Sequence, residues 1–345
     1  MNKLDMAFER FIKTGGFIEI TRQFPQAINY KLSFELVNAR ISLLDTGVLV
    51  VEPKNNANVE KDLVISSGIH GNETAPIEIV NQLVQEIILS KITVRNRMLF
   101  IIGNPIAMNL KQRFEKENLN RLFCGKHQKI SPCYESERAE KLERYVSDFF
   151  LQSDSAHERL HYDLHTAIRP SKYQKFAIYP YQNDKAWNEE QLEFLQSSDI
   201  STVLLGHAPS GTFSYYSSSQ FQAHAFTVEL GKVMPFGQND MISFQAITNN
   251  LRLLIENKKI VKAIDKNKQL NVFKVIGELI KESDDFVLHL GDDVCNFTDF
   301  PVGTLLSTDG EEQYKTTQLG ESIVFPNANV AKGQRAGLMV APTKY

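Results

Sequence analysis

The sequence predicts an α/β protein: a mostly parallel or mixed, helix-flanked sheet followed by a small C-terminal β module. Three observations predict it. Apolar runs such as Leu63-Val64-Ile65 and Met98-Leu99-Phe100-Ile101-Ile102 lack the alternation of a half-wet strand, so they read as strands buried on both faces. Stretches of helical periodicity alternate with them, as in βαβ units. Past about Lys258 the alternation stops, and short β segments with Gly and Asp turns take over. At 345 residues the chain is long for one core. We therefore read residues 1–257 as the main domain and 258–345 as the β-rich module.

Taken in order, residues 4–13 carry a weak amphipathic pattern (Met6, Phe8, Phe11, Ile12) and predict a helix. Phe17 to Val51 reads as short β segments, with a hairpin of residues 39–44 and 48–51 joined through Asp45-Thr46-Gly47. The strand at Leu63–Ile65 runs into Ser66-Ser67-Gly68-Ile69-His70-Gly71-Asn72-Glu73-Thr74, and a helix follows over residues 75–89. Thr74 suits an N-cap there, and Pro76 fits the first turn. After the strand at 98–102, Gly103-Asn104-Pro105 forms a loop. A helix at 135–151 shows one stripe of Ala139, Leu142, Tyr145, Val146 and Phe149. Strands follow at His161–His165, Phe176–Tyr179, Thr202–Leu205 and Ala225–Leu230, and a helix with Phe244, Ile247, Leu251 and Leu254 closes the domain. Lys258 to Lys268 is charged and loop-like. Beyond it come β runs near residues 272–275, 286–290, 304–306, 322–325 and 338–340, with a helical turn around Ile276–Ile280.

Bulk properties narrow the function. A net charge of −3 with no basic tract argues against a nucleic-acid surface. No apolar run is long enough to span a membrane, and the first residues have no signal-peptide core, so a cytoplasmic protein is expected. The three cysteines, Cys124, Cys133 and Cys295, have no C-x-x-C spacing and suit a reducing compartment. The sequence sets no oligomeric state.

The chemistry concentrates in loops at the carboxyl ends of predicted strands, where open α/β sheets place ligands. His70 and Glu73 supply two-thirds of a His₂Glu metal site, which leaves a position open for water. Of eight histidines, His165 is the best third ligand because it ends a buried strand, and Asp163 shares its face. His161 is four residues away, about 13 Å along a strand, and is not expected to be a co-ligand. Glu229 ends another apolar strand, where an unpaired carboxylate is costly unless it has a task; general base for a hydrolytic water is that task. Arg113, Arg121 and Arg169 follow strands and, if they converge, suit an anionic substrate. A satisfied core histidine at 165, a structural ion pair at Glu229 with Lys232 or an Arg, and ordinary surface arginines are the alternatives.

These motifs are similar to those of the succinylglutamate desuccinylase/aspartoacylase family, a branch of the zinc-carboxypeptidase-like hydrolases. The residues that carry the resemblance are His70-Gly71-Asn72-Glu73, Asn104-Pro105, Asn120-Arg121, Asp163-Leu164-His165-Thr166 and Glu229-Leu230-Gly231. Longer stretches, including Val228-Glu229-Leu230-Gly231-Lys232 with Pro235–Asp240 and Arg335–Met339, place it nearer the desuccinylase branch. It extends from about Asp45 to the C-terminal region, and residues 1–44 are the divergent part. The resemblance implies one zinc per chain held by His70, Glu73 and His165, with Glu229 as general base and acid. It implies that Arg113 steadies the oxyanion, that Asn120 and Arg121 grip a substrate carboxylate, and that Arg169 is a second such contact. The implied reaction is hydrolysis of N-succinyl-L-glutamate, the last step of arginine catabolism by succinylation. Asn118 stands where the family often has Asp, a change expected to loosen a neighbouring arginine. A deacylase of another acyl-amino acid such as N-acetyl-aspartate, a carboxypeptidase, and a non-catalytic binding protein are the alternatives.

Overall fold

The computed structural model describes residues 3–28, 31–55, 59–183, 185–260, 270–291 and 293–344. The N-terminal segment holds α1 (Lys3–Thr14), α2 (Phe17–Gln23) and three strands, β1 (Leu32–Glu35), β2 (Ala39–Asp45) and β3 (Val48–Pro53). The alternating region follows: β4 (Lys61–Ser67), α3 (Thr74–Ile88), β5 (Arg97–Ile102), α4 (Pro105–Leu110), α5 (Tyr134–Leu151), β6 (Glu158–Ala167), β7 (Phe176–Tyr179), α6 (Glu189–Ser197), β8 (Thr202–Leu205), α7 (Phe213–Phe221), β9 (His224–Lys232) and α8 (Gln245–Ile255). The remainder is β: β10 (Asn271–Lys281), β11 (Val287–Leu288), β12 (Thr298–Asp299), β13 (Leu305–Asp309), β14 (Glu312–Lys315), β15 (Ser322–Val324) and β16 (Gln334–Pro342).

The described residues form a 13-stranded mixed sheet in the order β1-β2-β3-β5-β4-β6-β9-β7-β8-β10-β16-β15-β12. Its centre, β5-β4-β6-β9, is parallel, as the apolar runs predict. One face packs against α1, α2, α3, α6 and α8 through residues such as Phe11, Phe17, Ile77, Val84, Phe194 and Leu251. The other packs against α5 and α7 through Leu142, Val146, Phe149, Phe213 and Phe221. Covered on both sides, β4 and β5 are buried almost throughout, which is why they show no alternation.

The C-terminal strands are antiparallel, with a 3-stranded sheet β11-β13-β14 beside them. They continue the main sheet: β10 pairs in parallel with β8, Asn271 opposite Thr202 through Lys274 opposite Leu205. Phe176 and Leu204 from the first part pack with Phe273, Phe297, Leu338 and Val340 from the last.

Several local readings change. Residues 17–23 are helical, because Phe17, Ile20 and Thr21 fall on one buried side rather than on alternate sides. Ile276–Ile280 lies within β10; a register break between Val275 and Gly277 disturbs the period of two and imitates a helical pattern. Helices α4, α6 and α7 were not expected. Glu73, not Thr74, occupies the N-cap position of α3, and the Thr74 hydroxyl instead donates to the Met234 carbonyl at 2.6 Å. Of the charged segment Lys258–Lys268, residues 261–268 lie outside the described residues.

Candidate metal centre and active site

The chain leaves β4 through Gly68, which adopts φ +61°, a left-handed conformation that favours glycine. Gly71 has a different reason. A Cβ there would lie 2.1 Å from the Met108 nitrogen and 2.2 Å from the Ala107 carbonyl carbon, so only glycine lets the loop lie against α4. Gly71 is therefore required by a close approach of two backbones. Asn104 caps α4 by accepting from the Ala107 N–H, and Pro105 sits at its start. Between the two glycines the backbone holds His70 and brings Glu73 back toward β6.

His70, Glu73 and His165 are buried, and one donor atom from each lies within 4.8 Å of the others. His70 Nδ1 is 2.8 Å from Glu73 Oε1, and His165 Nδ1 is 2.9 Å from Glu73 Oε2. Glu73 Oε1 also accepts from Arg113 at 2.6 Å, and Oε2 accepts from the Thr166 N–H at 3.0 Å. Behind the ligands, His165 Nε2 meets Asp163 Oδ2 at 2.9 Å and His70 Nε2 meets Asn118 Oδ1 at 2.9 Å. The Asn118 oxygen is fixed as an acceptor because it also takes the Asn120 N–H at 3.1 Å. So His70 must donate from Nε2, and its Nδ1 presents a lone pair.

That lone pair is the test of whether a cation fits. His70 Nδ1 makes no hydrogen bond although it is buried and faces a carboxylate oxygen. Two acceptors facing each other at that distance lack only a positive charge between them. Two imidazole nitrogens and one carboxylate oxygen are also the donor set of an open, catalytic zinc site. The residues present fit the ion.

Their surroundings set how these groups titrate. Burial, with the Arg113 charge, outweighs the pull of Glu73 and brings His70 down to about 4. Burial also opposes charge on His165, but Asp163 and Glu73 overcome it and raise its pKa well above the ordinary value. Glu73, despite its burial, is held well below the usual carboxylate range by the two histidines.

Glu229 lies on β9 directly opposite His165 of β6 in the parallel register. It is 7% exposed, and its Oε2 has no hydrogen-bond partner among the described residues. Burial, then the charge of Glu73, pushes it up to about 7. Among the described residues, neither Lys232 nor an arginine forms an ion pair with it.

The arginines divide. Arg113 touches the ligand set through Glu73. Arg121 donates to the Asn120 carbonyl at 2.9 Å, and the Asn120 side-chain oxygen accepts from the Phe213 N–H at 2.9 Å. Arg169 reaches the Val294 carbonyl at 3.5 Å and so ties the end of β6 to the C-terminal segment. Asn118, expected to leave a neighbouring arginine looser, accepts from His70 instead. Burial pushes the Cys124 thiol up to about 11, leaving it unreactive.

Sequence reasoning missed an interior hydrogen-bond chain. Ser66 Oγ donates to Asp163 Oδ1 at 2.5 Å and lies 2.8 Å from His161 Nε2; His161 Nδ1 lies 2.7 Å from Ser217 Oγ. The available signal was only the period of two, which puts His161, Asp163 and His165 on one face of β6.

The chain is similar to known proteins over most of its length. Residues 59–255 match the family model described as the succinylglutamate desuccinylase/aspartoacylase catalytic domain, and residues 268–343 match the AstE/AspA barrel-sandwich hybrid domain. Curated succinylglutamate desuccinylases from Shewanella denitrificans and Shewanella frigidimarina are 45% and 47% identical, over 94% and 93% of this chain and 95% and 92% of theirs. The solved succinylglutamate desuccinylase of Vibrio parahaemolyticus superposes with a TM-score of 0.88 at 36% identity, covering 95% of both chains. Murine aminoacylase 3, at 15% identity and a TM-score of 0.55 over 84% of this chain and 97% of its own, shares the fold.

Proposed function

The chain belongs to the succinylglutamate desuccinylase/aspartoacylase family, and from that membership we propose that it hydrolyses N-succinyl-L-glutamate to succinate and L-glutamate. In the cell this would be the closing step of arginine breakdown by succinylation. The observation that carries the reading is the convergence of His70, Glu73 and His165 with Glu229 opposite His165.

His70, Glu73 and His165 would hold one zinc ion. When bound, it supplies Lewis acidity, polarising a carbonyl and making water acidic enough to attack at neutral pH. Glu229 accepts the proton of the attacking water as the new C–O bond forms. It then delivers that proton to the glutamate nitrogen as the C–N bond breaks, so one carboxyl serves as base and then acid. Arg113 presents guanidinium N–H groups where the carbonyl oxygen gains negative charge. Asn120 and Arg121 bind substrate carboxylates, and Arg169 is a candidate for another.

The deciding experiment measures free glutamate released from N-succinyl-L-glutamate before chelation, after it, and after zinc is restored, with N-acetyl-L-aspartate as a control. Release lost on chelation and regained with zinc is expected; turnover of the control alone would discard the substrate and keep the chemistry. Glu229→Gln should bind zinc normally and lose about 10²–10⁴-fold in turnover; near-normal activity would remove Glu229 from its role. Because a base works only when deprotonated, kcat/KM should rise with pH through the Glu229 titration. That limb should lie at or below the metal-free value of about 7, since a neighbouring cation favours the carboxylate.

A further inference from the structure

Residues 111–118 run from the end of α4 toward Asn120, and none of them is buried. Two side chains of this segment nevertheless face the ligand set. Arg113 donates to Glu73 Oε1 at 2.6 Å, and the Asn118 oxygen takes the His70 Nε2–H at 2.9 Å. The backbone takes part as well, because the Gly71 N–H donates to the Arg113 carbonyl at 3.1 Å. An exposed segment keeps its conformational freedom unless its backbone is anchored, and a guanidinium on a free segment has no fixed place.

The anchor comes from α5. The Glu115 N–H donates to Glu135 Oε1 at 2.8 Å. Glu135 is 0% exposed and stands in the first turn of α5. The same oxygen accepts from Asn104 Nδ2 at 3.3 Å. Asn104 in turn caps α4, and its N–H donates to the Gly68 carbonyl at 2.7 Å. Three residues after Glu135, the buried Arg138 donates from Nε to the Gly103 carbonyl at 2.8 Å and from Nη2 to the Thr46 and Ile102 carbonyls. Residues three apart share a helix face. That face of α5 therefore grips the chain on both sides of α4, at Gly103 where it leaves β5 and at Glu115 beyond the helix.

A glutamine could accept both bonds on one oxygen. A carboxylate is costlier to bury, and Glu135 Oε2 has no hydrogen-bond partner among the described residues. The charge adds strength, since a hydrogen bond to an ionised acceptor is about twice as strong as a neutral one. The N-terminus of α5 offsets part of the burial cost. Resting on the role proposed for Arg113, we propose that Glu135 is a positioning residue of the reaction. It holds the backbone of residues 113–115 so that the Arg113 guanidinium keeps its place beside Glu73. Glu135 acts through Arg113 and not on the substrate.

The test uses zinc-saturated enzyme and N-succinyl-L-glutamate. Glu135→Leu, similar in size but without an acceptor, should lower kcat about 10–100-fold, the worth of one charge-assisted hydrogen bond, with KM within about threefold. Glu135→Gln should recover most of the loss. In an Arg113→Ala background, Glu135→Leu should cost less than about threefold more, because the group it places is gone. A full further loss there, or an unchanged kcat in Glu135→Leu alone, overturns the proposal. If Glu135→Leu does not fold, Glu135→Asp takes its place. It keeps the charge but falls one methylene short of the Glu115 N–H, and the same two outcomes decide. Amide hydrogen exchange reads the placement without turnover. The Gly71 N–H, which rests on the Arg113 carbonyl, should exchange about 10–100-fold faster in the variant. Unchanged protection at Gly71 overturns the proposal even where kcat falls. If the wild-type enzyme does not turn over N-succinyl-L-glutamate, the functional reading falls separately, and the exchange measurement still decides whether Glu135 places Arg113.

Discussion

Ser66 has one hydroxyl proton, and its direction orders everything around His165. Asp163, held ionised by its histidine neighbours, can only accept, so Ser66 donates to it. Ser66 must then accept from His161 Nε2–H, which leaves His161 Nδ1 to accept from the Ser217 hydroxyl. With Asp163 also taking His165 Nε2–H, Nδ1 is the His165 nitrogen turned toward Glu73 and the ion site. Ser66→Ala should therefore weaken zinc binding by about tenfold, read by chelator competition; unchanged affinity would show that Asp163 needs no help. Nitrogen NMR should find His161 neutral with its proton on Nε2. Burial holds its pKa at about 4, below the 6.5 of a free histidine, so the unfolded chain binds more protons between those values. Stability from this residue is complete above pH 6.5 and is lost as pH falls toward 4, a change on the order of 3 kcal/mol. Melting curves of His161→Gln should be less acid-sensitive than wild type across that window. His70 and Glu73 were legible in the loop that follows an apolar strand, and His165 and Glu229 as polar residues near the ends of apolar strands. Asn118, Ser66 and Ser217 were not, since their roles arise from pairings with residues distant in sequence.

Among the elements, the loop from β4 to α3 sets the precision of the site. Its closeness to α4 depends on Gly71 lacking a side chain. Gly71→Ala forces backbone apart and should cost about 2 kcal/mol or more, with weaker zinc binding, measurable by thermal shift and by metal titration. Zinc affinity equal to wild type would show that the loop adjusts without moving its ligands. The loop after β9 is tied to α3 as well: Asn239 donates to Thr74 and to Glu78, and the Gly237 N–H donates to Glu78. The long helices α3 and α5 were readable from their stripes. Helix α7 was not, because its sequence, Phe213-Ser214-Tyr215-Tyr216-Ser217-Ser218-Ser219-Gln220-Phe221, has little intrinsic helix preference. It forms because Thr212 caps it and its apolar side is buried against the sheet.

At the scale of the molecule, composition and strand–helix alternation were sufficient to predict the central sheet. They could not show that the sheet continues into the C-terminal strands, because hydrogen bonding between β8 and β10 leaves no mark on either sequence. The shared sheet and the apolar cluster across it predict one cooperative unfolding transition by calorimetry; two resolved transitions would mean that the parts unfold independently. The same seam bears on synthesis and aggregation. Without β10, the buried strand Thr202–Leu205 would be the open rim of the sheet, its amides free to pair with another molecule. A chain cut short near residue 260 should precipitate or form oligomers even with every zinc ligand present. Ribosomes deliver β10 after β8, so nascent chains carry the sticky rim until that later strand has emerged.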